Sequence, residues 1–268
     1  MQRLDFQIAQ ARRIARNEAN ADGTYSISDQ EVIQYFNEGQ DKLEAIIHSQ
    51  KNIDKIFAAE KIINLVANQE SYAITDRVYM NRSIEQVEYS YDGTLANYIV
   101  LDKIHLFNRD TDTNQSPVGY TRRGNRIYIS PIPSNTQGTL RVTYERALDD
   151  LDLRRGKVTT VNGLSSTTFT SIVLDASADT YESSSYNPNW TNIDYFCVVD
   201  SDGNRKAFNV AVGSYTTGTN TITPTGTFSF ESGDSIAVND YCVFGKYTTT
   251  HSELPDSCEL YLIEYAAY

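Results

Sequence analysis

Apolar residues recur at helical spacing up to about residue 51, then at every second position from about residue 60 onward. That switch of period constrains the fold more than any other feature, because a helical stripe laid out as a strand would scatter its apolar residues over both faces. Residues 4–17 place Leu4, Ile8, Ala11 and Ala15 on one face with Ile14 beside them, which predicts a first helix. Ala21-Asp22-Gly23-Thr24 breaks it. Ser28 stands three residues before Glu31, a capping box in which each side chain satisfies an orphan N–H of the first turn, so a second helix is predicted over 28–51. Its expected buried stripe is Val32, Phe36, Leu43 and Ile47, joined by Ile33 and Ile46. Gly39 interrupts this stripe at a cost of about 1 kcal/mol relative to Ala, which a close neighbouring backbone would explain.

In the alternating region, KIINLVANQESYAI reads as two strands around Ala67-Asn68-Gln69, and SIEQVEYSYDGTLANYIVL as a pair around Asp92-Gly93. Ile127 and Ile129 alternate before Pro131 and Pro133, and Leu140, Val142 and Tyr144 alternate after a polar loop, which predicts a hairpin closed at its prolines. Past Gly156 the chain turns rich in Thr, Ser, Asn, Gly and Tyr. TFTSIVL, DYFCVVD, KAFNVAV, NTITPTG, DSIAVND and YCVFGKY are spaced like strands of a small barrel or sandwich, with Asp202-Gly203 as a hairpin turn. Pro255 then precedes Cys258, Leu262 and Tyr265 at helical spacing. The expected fold class is α+β: a helical core with antiparallel hairpins over 1–156, an inserted all-β domain over 157–250, and a closing helix of the core over 251–268.

The net charge of −12 disfavours gripping nucleic acid, since like charge repels phosphate. Residues 28–51 carry Asp29, Glu31, Glu38, Asp41 and Glu44 against Lys42 and Lys51, and 251–268 carry Glu253, Asp256, Glu259 and Glu264 with no Lys or Arg. Cys197, Cys242 and Cys258 cannot all pair within one chain and form no CxxC, so buried free thiols are expected. The start lacks the apolar segment of a signal peptide, so no export signal is expected. No apolar run approaches the ~18 residues of a membrane span.

A hydrolase needs a histidine beside a nucleophile, and His48, His105 and His251 lie in three separate segments without GxSxG or HExxH context. No Gly-rich phosphate loop is present. Neither a catalytic residue nor a cofactor is therefore expected, although a metal-assisted hydrolase built on scattered acids stays as a rival. The stretch from Glu18 to Asp29 resembles a calcium loop, with oxygen donors at Glu18, Asn20 and Asp22 followed by Gly23. It departs at both ends, where Glu replaces the first Asp and Asp29 replaces the bidentate Glu, so a turn followed by a Ser cap is the preferred reading. The 19 tyrosines fit protein interfaces better than nucleic-acid stacking, which pairs aromatics with a basic groove.

The order of these segments carries a resemblance. SDQEVIQYFNEGQDKLEAI is followed by LVANQESYAIT, SIEQVEYSYDG, the RIYISPIP stretch returning through LRVTYERAL, and a late ELPDSCELYLIEYAAY. The chain resembles the head–tail adaptor (connector, or head-completion) proteins of tailed bacteriophages over about 1–156 and 252–268. The resemblance implies a virion structural protein at the head–tail interface, assembled in the host cytoplasm. It would form a ring of about twelve copies beneath the portal protein, meet a tail or nozzle protein, and pass DNA through its lumen without a membrane partner. It implies a portal or subunit interface at Tyr261, Leu262, Tyr265 and Tyr268, and a lumen or subunit face at Asp29, Glu38, Asp41 and Glu44. Tail docking would fall to loop 108–118 and tip 133–138, at Asn108, Asp110, Asp112 and Asn135. A rival reading makes the β domain a glycan or receptor binder through Trp190, with Tyr181 and Tyr186 nearby.

Overall fold

The computed structural model describes residues 3–17, 19–20, 25–49, 57–74, 84–94, 97–105, 107, 116–134, 138–165, 168–176, 189–226, 229–230 and 235–268. Helices α1 (Leu4–Ile14) and α2 (Asp29–Ser49) lead into β1 (Ala58–Asn64), β2 (Ser71–Ala73), β3 (Ile84–Ser90), β4 (Ile99–Val100) and β5 (Asp102–Lys103). Next come β6 (Gly119–Arg123), β7 (Arg126–Ser130), β8 (Thr139–Glu145), β9 (Asp150–Leu151), β10 (Val158–Asn162) and β11 (Ser171–Leu174). The chain ends through β12 (Tyr195–Val199), β13 (Arg205–Thr216), β14 (Thr221–Thr225), β15 (Ser229–Phe230), β16 (Tyr241–Phe244), β17 (Thr248–Thr249) and α3 (Glu259–Ala267). It divides into two compact units, one of residues 1–49 with 149–268, the other of residues 50–148.

The expected α+β class with a helical core is overturned. Strands hold 38% of the described residues and helices 24%, in four sheets and only three α-helices. The physical reason is that each helix offers a single apolar stripe, whereas alternating segments supply whole sheet faces. The all-β part of the expectation is consistent with the structure.

The 50–148 unit is built from two sheets, ordered β1-β8-β3-β4 and β2-β7-β6-β5. They share a core of Leu65, Tyr72, Ile74, Val87, Ile127, Ile129, Leu140 and Val142. Each of these apolar side chains, taken out of water, is worth about 1.5–3 kcal/mol. Ile127, Ile129, Leu140, Val142 and Tyr144 are buried at alternate positions, as their period predicts. Their pairing differs from the predicted hairpin. β7 pairs β6 across Gly124-Asn125, while β8 joins β1 and β3 in the other sheet. Turns are encoded locally, but β1, one of the two partners of β8, lies some 80 residues away in the chain. The Asp92-Gly93 turn does join β3 to β4: Gly93 has φ +72°, and Asp92 accepts hydrogen bonds from the Thr94 N–H and hydroxyl at 3.0 and 2.9 Å.

In the other unit, β10-β11-β14-β13-β12-β16 form one antiparallel sheet, with β15 added on β13. Its two ends meet. The Val158 N–H donates to the Asp240 carbonyl at 2.7 Å, and the Cys242 N–H donates to the Gly156 carbonyl at 2.9 Å. The sheet thus curls into a small barrel around Phe169, Ile172, Trp190, Phe196, Val210, Ile222 and Phe244. Asp202-Gly203 turns β12 into β13, with Gly203 at φ +87° and Asp200 accepting from the Asp202 and Asn204 N–H groups, both at 2.9 Å. DSIAVND, expected as a strand, holds none among the described residues; Asp240 instead accepts from the Ala237 N–H at 2.7 Å and closes a turn. A short parallel pair, β17 with β9, lies in the same unit as the barrel and the three helices.

Candidate functional site

α2 begins as its sequence dictates. The Ser28 N–H donates to the Glu31 carboxylate at 2.8 Å, and the Glu31 N–H donates back to the Ser28 hydroxyl at 3.3 Å. The Ser28 N–H, and then the Ser28 hydroxyl donating at 2.9 Å, hold the Glu31 carboxyl below its ordinary range. Its buried face is Val32, Ile33, Phe36, Gly39, Gln40, Glu44 and His48. The predicted stripe holds as far as Phe36 and then rotates, leaving Ile46 exposed and turning polar groups inward. Gln40 explains the rotation: its amide donates to the Asp149 carbonyl at 2.8 Å, and its carbonyl accepts from the Ser252 hydroxyl at 2.6 Å.

Gly39 is the point where α3 crosses α2. A Cβ there would lie 2.9 Å from the Tyr265 ring and 3.5 Å from Leu262, so a side chain, not a backbone, demands the glycine. Lys42 Nζ donates to the Tyr265 hydroxyl at 2.5 Å and sits 4.5 Å from the ring centre. That bond, and then the nearby Tyr261 and Glu38, hold the lysine pKa above its ordinary value. Beside this crossing lies a groove of about 630 Å³, lined by Ile27, Tyr35, Glu38, Tyr261, Glu264, Tyr265 and the end of α3 at Tyr268. Tyr261 stacks on Tyr265 with ring centres 6.0 Å apart, and Tyr268 is 97% exposed. Four tyrosines with two carboxylates at their edge form an amphipathic surface suited to another macromolecule.

The structure separates the residues the sequence grouped. Tyr261, Tyr265 and Tyr268 line the groove, whereas Leu262 is fully buried beneath them. Glu38 is exposed and accepts from Gln34 at 3.0 Å; Asp41, one turn on, is also exposed. Desolvation by its neighbours, then the charge of Glu38, holds the Asp41 carboxyl above the usual range. Asp29 pairs instead with Arg12 at 2.5 Å. Glu44 turns inward, 3.5 Å from His48.

Of the calcium candidates, Glu18 and Asp22 lie outside the described residues; Asn20 is exposed, and Asp29 faces the Arg12 guanidinium. Among the described residues no group of three or more His, Cys, Asp or Glu side chains is placed to hold a metal. The tail-docking candidates Asn108, Asp110, Asp112 and Asn135 fall outside the described residues, as do Tyr181 and Tyr186. Trp190 is 2% exposed, with its indole N–H donating to the Arg155 carbonyl at 2.9 Å and its ring edge-on to Phe196 and Phe244. It is barrel core, not a surface platform. His251 sits against Gly203, its pKa lowered first by burial and then by Arg154.

Three participants escaped the sequence reading. Tyr35 and Glu264 complete the groove, and the i, i+3, i+4, i+7 spacing of Tyr261, Glu264, Tyr265 and Tyr268 is the signal that groups them on one face. Arg12 is the third: buried at the end of α1, it donates to the Ile27 carbonyl at 2.8 Å and lies over the Tyr25 ring at 3.9 Å, tying the segment before α2 in place. No local pattern marks it.

The family model described as SU10 adaptor protein matches residues 1–193. The chain belongs to the SU10 adaptor protein family. It is therefore a structural adaptor of the tailed-phage head–tail kind, and its associations are with other virion components. The matched stretch of this adaptor takes in α1, α2, the whole 50–148 unit and the first two barrel strands; α3 lies beyond it. No curated protein matches the adaptor. Among its described residues, no helix is long and apolar enough to cross a membrane.

Proposed function

We propose that this adaptor assembles as a ring beneath the portal, of about twelve copies, links capsid to tail, and lets DNA pass through its lumen without any catalytic step. Family membership over residues 1–193 is the observation that carries the reading. The charge of −12 supports it, since a wall of the same sign as phosphate lets DNA slide without adhering. The aromatic groove at α2 and α3, with Glu38 and Glu264 at its edge, supports an interface with portal or neighbour, and the tail or nozzle protein then docks elsewhere on the chain. The division into a 1–156 core, a 157–250 insertion and a 251–268 closing helix belongs to the same proposal.

Electron microscopy of the purified protein, alone and mixed with its portal, tests this. Rings docked on the portal are expected. A chain that stays monomeric and ignores the portal overturns the reading.

A further inference from the structure

We infer that the groove between α2 and α3 of one copy receives the outward face of α1 from the next copy. The inference rests on the ring reading above and names the occupant of its interface.

α1 is amphipathic in an unusual sense. At about 100° per residue, Leu4, Ile8 and Ala11 share the face that is buried as α1 packs on α3. Phe6, Ala9 and Arg13 fall on the opposite side, and all three are exposed. Phe6 is 57% exposed, an aromatic ring at the centre of a helix face with the Arg3 guanidinium 4.9 Å from its centre. Arg13 is followed by Arg16, also exposed, just past the end of the helix. The outward face of α1 therefore offers one large apolar ring and a basic end.

The groove offers the converse. Its floor is the tyrosines of α2 and α3, and its acids are Glu38 and Glu264, with Asp41 one turn beyond Glu38. Desolvation first, and then the charge of Glu38, holds the Asp41 proton more tightly, and an incoming cation would relieve the repulsion between the two carboxylates. Guanidinium groups also lie favourably on tyrosine faces, as Arg12 already does on Tyr25. Apolar ring meets apolar floor, and cation meets carboxylate.

One copy cannot satisfy both surfaces itself, because the inner face of α1 is already seated on α3 and its outer face points away from that helix. A contact between two different patches of identical chains is heterologous, and such contacts close into rings when the rotation allows.

The test is a charge exchange read by light scattering and sedimentation of the full chain, with circular dichroism confirming folding. Arg13→Glu alone and Glu264→Arg alone should each weaken assembly roughly tenfold per contact. The two together should restore it. In a Cys258→Ser background, Ala9→Cys with Glu264→Cys should give a covalent ladder on oxidation, whereas either cysteine alone should not. Rings that form unchanged in both single variants overturn the inference and leave the ring reading standing. Loss without rescue and without a ladder also overturns it. A wild-type chain that is monomeric at every concentration overturns it too, and mixing that chain with portal then decides the ring reading separately.

Discussion

Asp92 shows how much a single side chain contributes to this fold. Its carboxylate accepts from the Thr94 N–H and hydroxyl and from the Ser90 hydroxyl through one oxygen, and from Asn97 at 2.8 Å through the other. The Thr94 backbone bond, followed by the side-chain bonds, lowers its pKa from 3.8 to about 2. Because the folded value is the lower one, the stabilisation is complete above the ordinary carboxylate range and is lost as pH falls from about 4 through about 2. A carbon-13 titration of the Asp92 carboxyl should therefore find its midpoint near 2, and one near the ordinary 3.8 would show that the turn is not closed by these bonds. The Asp-Gly pair made this turn legible in the sequence. Arg12 was not legible, because its partners Ile27 and Asp29 are defined only once two helices have met.

At the scale of elements, α2 divides into a half that its sequence announces and a half that it conceals. The capping box and the stripe through Phe36 follow from local rules, and both are present. Beyond Gly39 the inward side chains are Gln40, Glu44 and His48, polar residues that a periodicity argument assigns to solvent. Gln40 finds its partners more than 100 residues away, at the Asp149 carbonyl and the Ser252 hydroxyl, and Glu44 and His48 face each other behind it. Replacing Gln40 with Ala removes both of these buried bonds and should cost about 1–3 kcal/mol. Ile46→Ala, at a position 53% exposed, should stay within about 0.5 kcal/mol. Urea unfolding of the two variants checks the ranking, and the reverse order would restore the apolar stripe as the packed face. The strands tell the same story: alternation revealed which residues of β7 and β8 face inward, while the sheet each joins was set by partners remote in the chain.

For the whole molecule, the balance between helix and sheet is what the sequence pattern misjudged, since two well-marked helices at the start outweigh their share of the chain. The strand-built cores carry most of the apolar burial, one between the two sheets of residues 50–148 and one inside the barrel. The barrel holds the single tryptophan of the chain, flanked by Phe196, Phe244 and Tyr215. Trp190 should emit at short wavelength and resist acrylamide quenching in the native state, then lose both properties when the barrel opens. Ready quenching in native buffer would place the ring outside the core.

The closure of that barrel has a consequence for crowding. Where β10 and β16 meet through Gly156, Val158, Asp240 and Cys242, the backbone groups that a stray strand would seek are already engaged. In the proposed ring, many copies held side by side would invite strand-by-strand polymerisation, which has no natural stopping point. A sheet fastened to itself offers little to template such growth. For the barrel unit, the proposed association then falls to side chains on rigid helices, where geometry would set how many copies fit before the chain of contacts returns to its start.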